Sequence, residues 1–251
     1  QSNLGGKGPD EGEEALVFGN VAPNTNLKVM ATTSYTPNSL NPSGGVMHNG
    51  VRDGFGIINM GSSSSVDLTF KLVDSRTGEP KTMSDFAITF FDGDHGMSHE
   101  SREAIKVSGF TSYIIAAEST LDVDPIQVDA ESRAAGNGIA KFTSKMRGSK
   151  IDNPLEPMDM NTLQRRRTVA LLFENKSEFQ VTASESGYTN PQGRNIFFSG
   201  ASSLICNADA KCTSFQCPRG THLKQNAEFI VCATKPCSAA DNERCCFDID
   251  G

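Results

Sequence analysis

Apolar and polar residues alternate along much of the first 200 positions of the chain. In the segment VDLTFKLVD, residues 66–74, the apolar residues Val66 and Phe70 fall on one face of an extended chain. The polar residues Asp67 and Thr69 fall on the other face. Because side chains of a β-strand point to opposite faces in turn, this period of two predicts a strand with one buried face.

The same pattern, interrupted by turn residues, predicts a succession of short strands. We expect them at residues 15–22, 27–35, 54–61, 66–74, 85–92, 104–115, 125–130, 140–146, 168–175, 178–185 and 195–200. The segments SRTGEP and ENKSE provide typical turns between strands. One helix is expected, at residues 157–167, where Asp159 or Asn161 can cap its first turn.

Many short strands and one short helix predict an all-β fold. We expect an antiparallel two-sheet β-sandwich of jelly-roll type over residues 15–203. The Gly- and acid-rich residues 1–14 predict a flexible leader or linker. Residues 204–251 form a separate cysteine-rich module in this prediction, and the module can continue beyond Gly251.

All seven cysteines lie in the last 46 residues, at Cys206, Cys212, Cys217, Cys232, Cys237, Cys245 and Cys246. A segment this short buries little core, so dense cysteines indicate a disulfide module in an oxidising, extracellular location. Zinc is the alternative, but the irregular spacing is not that of a common zinc motif. Because seven is odd, one cysteine is free, pairs with another chain, or pairs beyond this sequence.

The charge balance excludes some partners. The chain carries a formal charge of −7 and has no long basic run, so we expect no nucleic-acid binding. The only basic cluster, QRRRT at residues 164–168, is expected to be a solvated face. No apolar run reaches 18 residues, so no membrane insertion is expected.

The stretch TFFDGDHGMSHESREAIKVSGF, residues 89–110, holds the best candidate site. Laid on the EF-hand pattern it places Asp92, Asp94, Glu100 and Glu103 at ligand positions, but Met97 stands where the loop requires glycine. Asp92, Asp94 and Glu100 remain a calcium candidate, and a solvated acidic turn is the alternative. Further ligands would come from other loops, with Asp53, Asp122, Asp124 and Asp152 as candidates. Asp248 and Asp250 repeat the spacing of Asp92 and Asp94.

Other chemistry receives less support. His95 and His99 have the spacing of a helical zinc pair, but the flanking segments are predicted strands. There is no G-x-S-x-G elbow for a nucleophile, so we predict that the protein is not an enzyme. Asn175 begins an N-glycosylation sequon, Asn-Lys-Ser, in a predicted hairpin turn.

The segments DLTFKLVDSRTGEP, FAITFFDGD, VSGFTSY, DNPLEPMDMNTLQRRRTVALLFEN and GRNIFFSG resemble secreted domains of microalgae such as dinoflagellates and stramenopiles. The resemblance covers roughly residues 66–200, and a cysteine-rich module often follows such domains. It implies an extracellular protein of the cell surface or its filaments, and it supplies no catalytic residues.

These observations predict an extracellular structural or adhesive protein, stiffened by calcium, that assembles with copies of itself or with other matrix or surface proteins. A calcium-dependent carbohydrate-binding domain is the first alternative. Sugar-binding faces usually offer aromatic rings, and this chain has no Trp and only Tyr35, Tyr113 and Tyr188. A secreted hydrolase is the second alternative.

Overall fold

The computed structural model describes residues 1–38, 49–95, 102–126, 137–148, 153–187 and 193–200, and in the cysteine-rich segment residues 202, 204, 212–224, 227, 230, 232 and 237–248. Within these residues, two large antiparallel sheets and one two-stranded sheet account for most of the structure. The predicted all-β class with two antiparallel sheets is therefore confirmed.

The larger sheet, sheet A, has seven strands. They are β1 Ala15–Ala22, β2 Thr25–Ala31, β5 Ser65–Asp74, β7 Arg102–Phe110, β9 Leu121–Ile126, β10 Gly138–Ser144 and β12 Glu178–Ser186. Their order in the sheet is β1-β2-β5-β12-β7-β10-β9. Strands distant in sequence are thus neighbours in the middle of the sheet.

The second sheet, sheet B, has six strands. They are β3 Gly50–Arg52, β4 Phe55–Met60, β6 Met83–Phe91, β8 Ser112–Ile115, β11 Val169–Lys176 and β13 Arg194–Ser199. Their order is β3-β4-β13-β6-β11-β8. Three antiparallel pairs are nested along the chain and alternate between the sheets, since β4 pairs with β13, β5 with β12 and β6 with β11.

Phenylalanine dominates the layer between the two sheets. Phe70 of β5 is fully buried, and its ring centroid lies 6.1 Å from that of Phe90 and 5.2 Å from that of Phe198, both in sheet B. Val66 and Leu68 of β5 are at most 2% exposed and belong to the same core. The inward face predicted for this strand is confirmed.

A smaller apolar layer forms around Phe55, Ile57 and Phe91 of sheet B. Met160, from the segment that precedes helix α1 (Thr162–Arg166), completes this layer. Asn161 caps the helix: its side chain accepts a hydrogen bond from Gln164 N, and the Gln164 side chain accepts one from Asn161 N. This reciprocal capping box confirms Asn161 as one of the two predicted caps.

The prediction of one strand over residues 104–115 is wrong. The chain forms β7 in sheet A and β8 in sheet B, and Gly109, just before the end of β7, has a φ of +93°. Glycine adopts this angle without steric cost, whereas a residue with a Cβ atom would be strained there. Alternation predicts which side a residue faces, but it does not show where the chain passes from one sheet to the other.

The first residues of the predicted flexible leader pack against the sandwich. Leu4 is fully buried in the main core. Asn3 N donates a hydrogen bond to Ala15 O at 3.0 Å, and Val17 N donates one to Gln1 O at 2.9 Å. These contacts cover the outer edge of β1, which would otherwise expose unpaired backbone groups.

Three disulfides join six of the seven cysteines, in the pairs Cys212–Cys245, Cys217–Cys246 and Cys232–Cys237. The predicted disulfide chemistry is confirmed for these residues, and Cys206 lies outside the described residues. Strands β14 Thr221–Leu223 and β15 Cys246–Asp248 pair beside helix α2, Asn242–Cys245. No helix in the described part of the chain is long and apolar enough to span a membrane.

Candidate functional site

A cluster of charged side chains is buried at one end of the sandwich. We name it the charged cluster, and its members are Asp94, Glu103, Arg167, Glu185 and Arg194. Their side chains are between 0% and 20% exposed. Charged groups are rarely buried in proteins unless they are paired, so this cluster is the most unusual feature of the sandwich.

The strand pattern itself turns the two glutamates inward. Glu185 continues the inward phase of Val181 and Ala183 along β12, and both of these apolar residues belong to the main core. Glu103 likewise lies in phase with Val107 on β7. Two positions that the alternation assigns to the core therefore carry carboxylates.

Arg194, at the start of β13, joins three acids. Its Nε donates a hydrogen bond to Glu185 Oε1 at 3.1 Å and lies 2.9 Å from Glu103 Oε1 in an ion pair. Its Nη1 lies 3.9 Å from Asp94 Oδ1. The second oxygen of Glu185, Oε2, accepts a hydrogen bond from Ser63 N at 3.1 Å. Both oxygens of this fully buried carboxylate therefore serve as acceptors.

Asp94 also pairs with a second arginine. Arg167 Nη1 lies 3.4 Å from Asp94 Oδ2, and Arg167 Nη2 donates to Arg147 O at 2.8 Å. A Cβ atom on Gly148 would lie 1.9 Å from Asp94 Oδ2, so the closeness of the Asp94 carboxylate requires a glycine there. The turn after β6 begins at Asp92, which has a positive φ of 59°.

Acids outnumber bases in this region. Burial, together with the negative charges of Asp94, Asp92 and Glu185, raises the pKa of Glu103 well above its ordinary value, although Arg194 opposes the shift. Burial lowers the pKa of Arg194, but the acids around it outweigh this effect and raise its pKa overall. When all are ionised, the three carboxylates of the charged cluster and that of Asp92 exceed its two guanidinium groups by two negative charges, which favours the protonated form of Glu103.

The charged cluster borders a small cavity between the sheets. The cavity offers about 30 Å³ to the centres of water-sized molecules. Glu103, Arg167, Glu185 and Arg194 line its polar part, and side chains such as Phe90 line the apolar part. A space of this size holds one or two water molecules or a small ion, and it does not hold a sugar ring.

The structure brings only some of the predicted calcium ligands together. Asp92 and Asp94 lie near Glu103, whereas Glu100 and Asp152 lie outside the described residues, as does Asp250. The side chain of Asp248 is likewise outside them. Calcium binding at Asp92 and Asp94 stays a prediction.

The other loop carboxylates occupy different places. Asp53 is exposed in the β3–β4 turn, where its Oδ2 lies 3.1 Å from Arg52 Nε. Asp122 pairs with Lys145 at 3.1 Å on the edge strand β9, and Asp124 is exposed on the same strand. None of these three lines the cavity beside the charged cluster.

His95 is buried, and its backbone hydrogen bonds connect the end of the turn after β6 with the segment after β10. Its N donates to Met146 O at 3.0 Å, and its O accepts from Gly148 N at 3.0 Å. His99, its partner in the zinc hypothesis, lies outside the described residues. The zinc pair therefore stays a prediction.

The basic segment QRRRT is not a solvated face along its whole length. Arg165 is exposed, but Arg167 is only 8% exposed and holds Asp94. Arg167, Glu185 and Arg194 were not predicted as site residues. For Glu185 the signal was present in the sequence, because an acid occupies an inward position of an alternating strand.

Asn175 is the last but one residue of β11, and because β11 and β12 lie in different sheets, the predicted hairpin at this position is wrong. Asn175 is exposed and has a φ of +52°, a conformation that asparagine tolerates better than most residues. An oligosaccharide at this position would project from the end of the sandwich. Its glycosylation stays a prediction.

Comparison of the chain with protein-family models, curated proteins and solved structures found no match. The resemblance to secreted microalgal domains therefore stays a prediction.

Proposed function

We propose that this chain is an extracellular structural or adhesive protein that assembles with copies of itself. Its sandwich is proposed to be of jelly-roll type. The nested pairs β4·β13, β5·β12 and β6·β11, which alternate between sheets, support this topology. The three disulfides are consistent with a secreted location.

An exposed apolar pair beside a surface groove carries the assembly proposal. Leu155 is 81% exposed and Met158 is 51% exposed. Both line a groove of about 540 Å³ together with Asp53 and Glu156. Two neighbouring apolar side chains in this setting are typical of a contact surface more than of an isolated surface residue.

The segment that forms the groove packs against the β3–β4 turn. Pro157, between the two exposed residues, is buried, and it lies so close to the β3–β4 turn that a Cβ atom on Gly54 would be 3.3 Å from it. Because the segment is fixed by Pro157, little conformational entropy is lost when a partner covers Leu155 and Met158. An apolar surface that is already ordered in the free chain favours the assembly of many copies.

A second copy is the occupant that the charges favour. Arg52 and Asp53 are exposed side by side, and Glu156 is exposed in the same groove. In a two-fold contact each copy presents the same surface, so Arg52 of one copy can face Glu156 of the other while Leu155 enters the opposite groove. The contact would then be apolar at its centre and charged at its rim.

The test is sedimentation equilibrium of the purified chain over a range of concentrations. We expect reversible association of the native chain, and at least about a tenfold weaker association for Leu155→Asp, the equivalent of about 1.4 kcal/mol. Ile126→Asp is the matched control, because Ile126 is also partly exposed but lies on β9 of sheet A and does not line the groove. A monomer at all concentrations, or equal effects of both substitutions, would contradict the proposal.

Carbohydrate binding is the alternative function. Tyr35 and Tyr113 are buried, and Tyr188 lies outside the described residues, so no described tyrosine offers an exposed ring for stacking. A glycan array with and without chelator tests it, and saturable, chelator-sensitive binding would replace the structural proposal. For a secreted hydrolase, the described residues add no specific observation.

A further inference from the structure

We propose that the cysteine-rich module binds one zinc ion, or another thiophilic metal ion, when its disulfides are reduced. The site is the sulfur cluster, which we define as Cys212, Cys232 and Cys245. Their Sγ atoms all lie within 4.8 Å of one another, and each residue is at most 1% exposed. This proposal is independent of the assembly proposed above.

The sulfur cluster joins two different disulfides. Cys212 is bonded to Cys245, and Cys232 is bonded to Cys237. Between the two bonds, Cys232 Sγ lies 3.6 Å from Cys245 Sγ and 4.0 Å from Cys212 Sγ. In a tetrahedral site with zinc–sulfur bonds of about 2.3 Å, neighbouring sulfurs are about 3.8 Å apart. Two of the three edges of the cluster, at 3.6 and 4.0 Å, are already close to this length.

The third edge is the Cys212–Cys245 bond, which opens on reduction. Breaking it and Cys232–Cys237 takes four electrons and four protons and leaves four thiols. Two phosphine molecules supply the electrons and become phosphine oxides, with oxygen and protons from water, whereas two dithiol molecules supply both electrons and protons and become disulfides. Binding of one Zn²⁺ then replaces the thiol protons, because thiolate is the form of cysteine that ligates zinc. Cys237 supplies the fourth sulfur.

Cys237 is assigned as the fourth ligand because it is bonded to Cys232 of the sulfur cluster, and the spacing of the two cysteines is compatible with this assignment. Four residues separate them, which is within the spacing found between paired ligands of structural zinc sites. The remaining bonded pair, Cys217–Cys246, is not part of the sulfur cluster. The structure therefore divides the six bonded cysteines into four ligands and two bystanders.

The arrangement favours a metal over simple disulfide exchange. Cys232 Sγ is almost equally distant from both atoms of the Cys212–Cys245 bond, so it lies beside that bond and not along its axis. A thiolate that attacks a disulfide must approach one sulfur in line with the bond that breaks. A position beside the bond is unsuited to this attack but is suited to a ligand of a shared ion.

The surroundings are apolar. Ala227 is buried in the same small core, and Phe215 and Ile230 pack against it. These side chains limit the access of water to the sulfurs, as in the closed coordination of a structural zinc site. Bound metal would thus maintain the small core in a reducing medium, where the disulfides are absent.

The experiment uses the full chain with Cys206→Ser, so that the seventh cysteine does not contribute a ligand. The protein is reduced with a phosphine under argon and titrated with Co²⁺, which reports tetrahedral thiolate ligation by its absorption, and zinc competition then gives the affinity. We expect one tightly bound ion per reduced chain and none on the oxidised chain. No binding by the reduced chain would overturn the proposal.

The choice of cysteines is tested by substitution. Cys212→Ser and Cys232→Ser are expected to weaken zinc binding by at least about 100-fold, which is the upper range for loss of groups that only support a metal ligand. The double variant Cys217→Ser/Cys246→Ser, with the four ligands intact, should bind within a few-fold of the parent. Equal losses in all variants would show that the reduced chain binds metal through any of its thiols, and would overturn the assigned site.

Discussion

Replacing Glu103 by glutamine tests whether the charged cluster holds a proton. The pKa of Glu103 is raised by burial and by neighbouring carboxylates, so the folded protein binds a proton at this residue over a pH range in which the unfolded chain does not. Glutamine has the same shape, and its Oε1 can still face Arg194 Nε, which lies 2.9 Å from Glu103 Oε1. The substitution removes the titration and keeps the contact.

The sign and size follow from proton linkage. Below the unfolded pKa of about 4.3, both states are protonated and the contribution of Glu103 is fully present. As the pH rises toward the higher folded-state pKa, the unfolded chain releases its proton first, so this contribution is lost. The free energy of unfolding should therefore fall by up to about 1.4 kcal/mol per pH unit in this window for the native chain relative to Glu103→Gln.

The assay is urea unfolding followed by circular dichroism, at half-unit steps from pH 4.5 to 8.5. Subtracting the curve of the native chain from that of Glu103→Gln cancels the groups that titrate identically in both proteins. Glu185→Gln is the matched control: both oxygens of Glu185 accept hydrogen bonds, so an amide there turns a donor toward Arg194 or Ser63 N. It should cost about 1–3 kcal/mol because one of these hydrogen bonds is lost, and it leaves the carboxyl group of Glu103 in place. A difference between Glu103→Gln and the native chain that does not change with pH would refute the reasoning.

Three further predictions address the packing of the same sandwich. Gly148→Ala should lower the free energy of unfolding in urea by about 1–3 kcal/mol, because the added Cβ would overlap Asp94 Oδ2. Gly19→Ala is the control: the nearest atom to its Cβ would be 3.9 Å away, so the substitution should be nearly neutral. Leu4→Ala should lower the free energy of unfolding by about 2–5 kcal/mol in the same assay, because Leu4 is fully buried. An unchanged free energy of unfolding would show that the first residues are dispensable. Millimolar calcium should raise the midpoint of thermal unfolding relative to chelator, and Asp92→Asn should abolish the difference; an equal shift in both proteins would locate the calcium elsewhere.

Alternation along the chain predicts the inward and outward faces well, because a buried face on a strand requires apolar residues at every second position. The burial of Val66, Leu68 and Phe70 follows directly from it. Partner strands do not follow, since strands of similar composition are interchangeable in a local pattern. The antiparallel pairing of Val66 with Ala183 joins positions more than 100 residues apart, and no local pattern contains that information.

The charged cluster was only partly predictable for the same reason. Asp92 and Asp94 could be predicted as a candidate site because they are close together in the sequence, as the residues of a local motif are. Arg167 and Arg194 reach Asp94 from distant segments of the chain. Only the fold shows that Asp94 of this turn meets two arginines in a buried ionic network, which the predicted alternatives of a calcium site and a solvated acidic turn did not include.

The position of the charged cluster suggests why a fold with an apolar core would keep it. A buried ion pair often stabilises a protein less than apolar residues of the same size would, because desolvation offsets the attraction. The cluster is, however, selective for one register. A one-residue shift of β12 against β7 would turn Glu185 outward and remove one of the three acids that surround Arg194. Since Arg194 joins acids from the turn after β6, from β7 and from β12, it links both sheets at one end.

We infer that the cluster contributes to the register of the sandwich more than to its overall free energy of unfolding. Removing all five charges together should therefore lower the free energy of unfolding less than removing Arg194 alone does.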